Sequence, residues 1–108
     1  MLCNVKGQLL QKEVTSVEVH QQVCKNLTSL YARKNHDYGD SFHKSYVEFG
    51  ETMLAIRLDD KLNRYKTLIK VPAKDRKVLD ESLQDTLMDL ANYAIMGLME
   101  MGVFLDDD

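Results

Sequence analysis

Tryptophan is absent from these 108 residues, proline occurs once, at Pro72, and there are only five glycines and two cysteines. So few breakers favour long uninterrupted helices. Cys3 and Cys24 are too few and too badly spaced for a disulfide framework or a zinc site, and free thiols fit a reducing cytoplasm. There is no run of about 18 apolar residues and no signal-peptide pattern, so a soluble intracellular protein is expected. The most uneven absence is that of positive charge. No Lys or Arg follows Lys77. Residues 1–77 carry 14 basic and 9 acidic side chains, and residues 78–108 carry eight acidic and no basic ones. Such separation within a net charge of −3 predicts that the two segments pack against one another. It also argues against a general nucleic-acid binder, which would present a net basic face.

The length allows one small domain, 1–108, with a modest core that association would extend. Residues 1–13, interrupted by Gly7, read as a loose arm or short extended segment, packed through Leu9 and Leu10. Thr15 and Glu18 form a capping box that opens a first helix over about 16–33. Its apolar face is Val17, Val23, Leu27, Leu30 and Tyr31. His20 and Cys24 lie one turn apart on it. That is the spacing of a metal pair, but no further ligand is near in sequence, so the expectation is a packed histidine and a small buried thiol. Ser45 and Glu48 repeat the capping-box pattern before Gly50. A second main helix follows over 51–70, with Leu54, Leu58, Leu62, Tyr65, Leu68 and Ile69 as its stripe, and Pro72 ends it. Asp80 is the expected N-cap of the last helix, Gly102 its C′ residue, and 103–108 a frayed acidic tail.

The last helix, 80–101, is the most informative stretch. At 100° per residue, Leu83, Leu87, Leu90, Ala91, Ala94, Ile95, Leu98 and Met101 cover much of its circumference. The polar residues Glu81, Ser82, Asp85, Asp89, Asn92 and Glu100 fall into one arc. A helix this apolar is expected to be nearly surrounded, so its carboxylates should line a cleft or interface. They have no local i,i+4 cation. A positive partner must come from another helix or a metal ion, the plainer alternative being a solvated acidic face.

Two other segments carry candidate chemistry. In 34–43, KNHDYGDSFH, a turn is expected at Asp37-Tyr38-Gly39-Asp40, with Gly39 free to take positive φ. It is either an ordinary interhelical turn or a substrate loop. In the second case Lys34 reaches a phosphate, Tyr38 or His36 stacks on a base, and Asp37 accepts a hydrogen bond. On the second helix, Arg57, Asp60, Lys61 and Arg64 share one flank. They are either surface i,i+4 pairs, or a carboxylate metal ligand beside a cationic clamp for phosphate oxygens. There is no G-x-x-x-x-G-K loop, no G-x-G-x-x-G and no Ser-His-Asp set.

HDYGDSF, RLDDKLNRY and DESLQDTLMDLANYAIM, in that order, resemble the nucleotide modification-associated domain 1 proteins of phages and bacteria. The likeness spans about residues 30–101. That family is in turn similar to the MazG-like all-α nucleoside triphosphate pyrophosphatases. The resemblance implies an all-α antiparallel bundle of three to four main helices, assembled as a homodimer or homotetramer. It implies hydrolysis of an NTP or dNTP to the monophosphate and pyrophosphate with Mg2+, or Mn2+ in its place. Metal ligands would be Asp85 and Asp89 with Asp60, and Glu81 in support. Arg57, Lys61 and Arg64 would neutralise the leaving pyrophosphate, while Lys34, Asp37, Tyr38 and Asn92 would recognise base and sugar. The MazG-like pattern is E-x-x-E on one helix and E-x-x-D on the next. Here Thr86 stands three residues before Asp89, and Asp60-Lys-Leu-Asn63 stands where E-x-x-E is expected. This incomplete set keeps a non-catalytic nucleotide-binding or accessory module as the alternative, with a plain oligomeric structural protein behind it.

Overall fold

The computed structural model describes residues 4–5, 8–9, 13–38, 40–72, 74 and 76–102, and side chains from Glu13 onward except those of Asp37, Tyr38, Arg76 and Lys77. The expected frayed tail, Leu10 and the φ of Gly39 lie outside the described residues. The described fold is all-α apart from one short antiparallel pairing. Two compact units, Met1–Lys34 and Asn35–Asp108, make up the chain. No described helix is long and apolar enough to cross a membrane.

In the first unit, β1 (Asn4–Val5) and β2 (Gln8–Leu9) pair antiparallel, which matches the short extended segment expected there. Helix α1 runs Ser16–Tyr38. Its capping box forms as the sequence predicts: the Thr15 amide donates to Glu18 Oε1 at 2.8 Å, and the Glu18 amide donates to Thr15 Oγ1 at 3.1 Å. The helix continues beyond the expected end near 33, because nothing in Lys34–Tyr38 breaks it. Asp37 and Tyr38 are therefore helical rather than turn residues. Of the expected apolar face only Leu27 is buried, whereas Val17 and Val23 are largely exposed. His20 and Cys24 are also exposed, contrary to the expected buried packing. The Cys24 sulfur lies 3.6 Å from His20 Nδ1.

The second unit is built on α2 (Ser41–Phe49), α3 (Glu51–Leu68) and α4 (Arg76–Glu100). Helix α2 starts at Ser41, so Ser45 is mid-helix and no capping box opens there. The break comes instead from Asp40, whose φ of 62° and ψ of 31° are left-handed, a conformation that Asp tolerates better than most residues. Gly50 separates α2 from α3 at φ 70° and ψ −155°. Its amide closes α2 on the Tyr46 carbonyl at 2.7 Å, and its carbonyl accepts the Met53 amide at 3.1 Å.

Helix α4 begins one turn before the expected cap, which puts Asp80 inside it. Residues 76–79 contain no breaker, and Leu79, at 3 % exposure, anchors the first turn by burial. The other end follows expectation. Gly102 takes φ 82°, and its amide donates to the Met99 carbonyl at 3.0 Å.

Helices α3 and α4 form the principal packed pair. Lys61 meets Asp89, and Gly97 faces Leu54, so rising numbers on one helix meet falling numbers on the other: the pair is antiparallel. The buried residues of α4 are Leu79, Thr86 and Gly97, which share one face, and Asn92, which at 100° per residue lies about 120–140° around the helix from them. Leu87, Ile95, Leu98 and Met99, each between 40 % and 48 % exposed, occupy a different arc. The packed face thus joins Leu79 to Thr86 and Gly97, and a second apolar face of the helix is left open. On α3, Met53 is buried and Leu54, Leu58, Tyr65 and Leu68 are half-buried, but Leu62 and Ile69 from the expected stripe are exposed.

Candidate functional site

The charge separation along the chain is realised as contacts within the second unit. Lys61 Nζ sits 2.9 Å from Asp89 Oδ2, joining α3 to α4, with side chains only 29 % and 19 % exposed. Towards the C-terminal end of α4, His43 Nδ1 of α2 lies 2.9 Å from Glu100 Oε1 and 3.0 Å from Oε2. Phe42 stacks nearly parallel to Tyr93 of α4, with ring centroids 6.0 Å apart, and to Tyr46 at 6.4 Å. The Lys61–Asp89, His43–Glu100 and Phe42–Tyr93 contacts each take one member from residues 1–77 and one from the acidic last helix. The expectation that the carboxylate stripe meets another helix holds for Asp89 and Glu100.

The remaining candidates spread along one edge of this seam. At 100° per residue, Arg57 and Arg64 are offset by about 40° and 60° from Lys61 on α3, and Asp85 and Asn92 by the same angles from Asp89 on α4. The offsets run in the same sense, away from the packed residues Leu54, Tyr65, Thr86 and Gly97. In an antiparallel pair, offsets of the same sense fall on the same edge. Arg64 is then level with Asp85, and Arg57 with Asn92. Arg57, Asp60, Arg64, Glu81 and Asp85 are all exposed, and none of them is ion-paired among the described residues. Asn92 is only 8 % exposed. No group of three or more His, Cys, Asp or Glu side chains among the described residues is gathered closely enough to hold a metal ion. Asp60, Glu81, Asp85 and Asp89 share the edge without converging.

Lys34 belongs to the first unit and the other candidates with described side chains to the second. The side chains of Asp37 and Tyr38 lie outside the described residues. Thr86, which stands where E-x-x-D would have its glutamate, is deeply buried, at 2 % exposure. Its hydroxyl donates to the Ser82 carbonyl at 2.7 Å, a bond that satisfies it inside its own helix. Asn63, at the corresponding α3 position, donates instead to Asp59 Oδ2 at 3.2 Å on another face. The contacts that sequence reasoning missed are Phe42–Tyr93 and His43–Glu100. Both residues of α2 stand in the polar-aromatic segment 34–43, but no periodicity links a nine-residue helix to one fifty residues later.

The family model for nucleotide modification associated domain 1 matches residues 34–101, which contain all of α2, α3 and α4. The chain belongs to that family. The match covers the whole Lys61–Asp89 edge and both α2–α4 contacts, so the family's defining stretch and the candidate site coincide. No curated protein and no solved structure matches the chain.

Proposed function

We propose that this protein is a nucleotide pyrophosphohydrolase of MazG-like type, acting on an NTP or dNTP along the α3–α4 edge, and that it works as a homodimer or homotetramer. The observation that carries the reading is the half-buried Lys61–Asp89 pair, flanked on one edge by two exposed arginines and an exposed aspartate, in a chain of this family.

The donor set fits a hard divalent ion of the Mg2+ kind. Such an ion needs only one or two protein carboxylates, with phosphate and water oxygens completing its shell. Asp85 and Asp89, one turn apart, are the nearest pair, with Asp60 and Glu81 further along the edge. Bound Mg2+ would supply charge neutralisation and a more acidic water. The protein's own residues do the rest. Arg57 and Arg64 reach phosphate oxygens from α3, and their charge stabilises the pyrophosphate as it leaves. Lys61, held on Asp89 in the structure, is placed to exchange that carboxylate for a phosphate oxygen. Asn92 would hydrogen-bond the base or sugar from the same edge.

A specific observation favours a second reading. Asp89 is already matched by Lys61, and Thr86 supplies no carboxylate, which suits a module that binds a nucleotide without cleaving it. Incubation with a panel of NTPs and dNTPs plus Mg2+, with pyrophosphate detection, separates the two. Pyrophosphate released from at least one triphosphate supports the enzyme. Triphosphate binding without release supports the module.

A further inference from the structure

We infer that His20 and Cys24 form a two-ligand site for a soft or borderline divalent cation such as Zn2+, on the exposed surface of α1 and using no residue of the nucleotide edge. The two residues are one turn apart, both exposed, with Sγ 3.6 Å from Nδ1. A tetrahedral zinc with a Zn–S bond of about 2.3 Å and a Zn–N bond of about 2.05 Å spans its two ligand atoms by about 3.5 Å. The observed separation is therefore the bite of such an ion, and the helix sets it before any metal arrives. With the ring proton on Nε2, the Nδ1 lone pair is free to take a metal.

The chemistry selects the cation. One imidazole nitrogen and one thiolate suit zinc-like ions, whereas Mg2+ prefers oxygen. On binding, the S–H bond breaks, its proton passes to solvent, and an S–metal bond forms, while His20 binds as the neutral ring. Two coordination positions remain for water or an incoming donor, one more than in a three-ligand catalytic zinc site. Bridging i and i+4 also favours the helical conformation of α1, since the unfolded chain does not hold the two ligands together.

The experiment uses the full-length chain carrying Cys3→Ser, so that Cys24 is the only thiol, and Cd2+ as a spectroscopic stand-in for Zn2+. The expected result is a sulfur-to-cadmium charge-transfer absorbance that saturates at one ion per chain, persists in excess Mg2+, and accompanies a raised melting temperature. Cys24→Ala should abolish the absorbance, and His20→Ala should weaken the affinity by at least tenfold. Both positions are exposed and alanine favours helix, so neither variant should unfold the protein. No charge-transfer band, or a band with equal affinity in the His20→Ala variant, would overturn the site and leave an ordinary exposed thiol.

Discussion

Lys61 and Asp89 are the residues on which the edge turns. Each is partly withdrawn from water, so their pairing is worth more than an exposed contact but remains a modest term, about 1 kcal/mol. Removing either alone takes this ion-pair partner from a side chain that stays partly withdrawn from water. A double-mutant cycle with Lys61→Ala and Asp89→Ala, read by urea unfolding, should give each single variant a larger cost than the coupling energy alone. Additive single effects would show that the pair carries no coupling. The same carboxylate should report on metal. Mg2+ or Mn2+ should raise the melting temperature of the wild type, because an ion bound only by the folded state stabilises it, and Asp89→Asn should abolish that rise. Equal stabilisation of both proteins would remove Asp89 from the ligand set.

At the scale of elements, two glycines show different reasons for having no side chain. A Cβ on Gly97 would lie 2.5 Å from Leu54 Cδ2, so Gly97→Ala forces the Leu54 side chain to shift within the α3–α4 seam. The expected cost is about 1–3 kcal/mol, less the gain of about 1 kcal/mol from alanine's helix propensity. Trimming the neighbour should recover it: Gly97→Ala with Leu54→Ala should be less unstable than the sum of the single changes. Around Gly50 there is space, since a methyl group added there would meet nothing within 4 Å, but φ is 70°. Gly50→Ala should cost about 1–3 kcal/mol in backbone strain, and no neighbouring substitution should relieve it. Chemical denaturation of the variants checks both statements. Additive costs at 97 and 54, or a neutral Gly50→Ala, would contradict them.

The same scale shows what can be read from the chain. Capping chemistry is local, so the roles of Thr15 with Glu18 and of Gly102 are legible from their neighbours alone. The starts of α2 and α4 differ from expectation because a competing signal lies one turn away: left-handed Asp40 outweighs Ser45, and burial of Leu79 outweighs the capping potential of Asp80. The carboxylate stripe is visible as periodicity. Its partner is not, since pairing Lys61 with Asp89 depends on the register of two helices joined by a connection around Pro72. The faces of α4 cannot be ranked from sequence either. The helix is apolar on more than one side, and packing selects the side that holds Leu79, Thr86 and Gly97.

For the whole molecule, the face of α4 bearing Leu87, Ile95, Leu98 and Met99 is the strongest reason to expect association. Met88 lies on the same side and adds to it. Only Leu27, Met53 and Leu79 are buried hydrophobic residues among those described, so covering this face would enlarge a thin core. Light scattering at micromolar concentration should give the mass of a dimer or tetramer, and Ile95→Asp with Leu98→Asp should shift it towards the monomer. A monomer mass for the wild type would rule the association out.

The central claim is that the α3–α4 edge holds the phosphates of a nucleotide. Arg64 decides it, being exposed, unpaired among the described residues and level with Asp85. The measurement is calorimetric titration of a non-hydrolysable triphosphate, with Mg2+ present, into wild type and Arg64→Ala, alongside their melting temperatures. A phosphate-clamping arginine predicts nearly unchanged stability and an affinity weakened by roughly ten- to a hundredfold, about 1.4–2.7 kcal/mol. Unchanged nucleotide affinity with a large fall in melting temperature would contradict it and make Arg64 part of the fold's electrostatics alone.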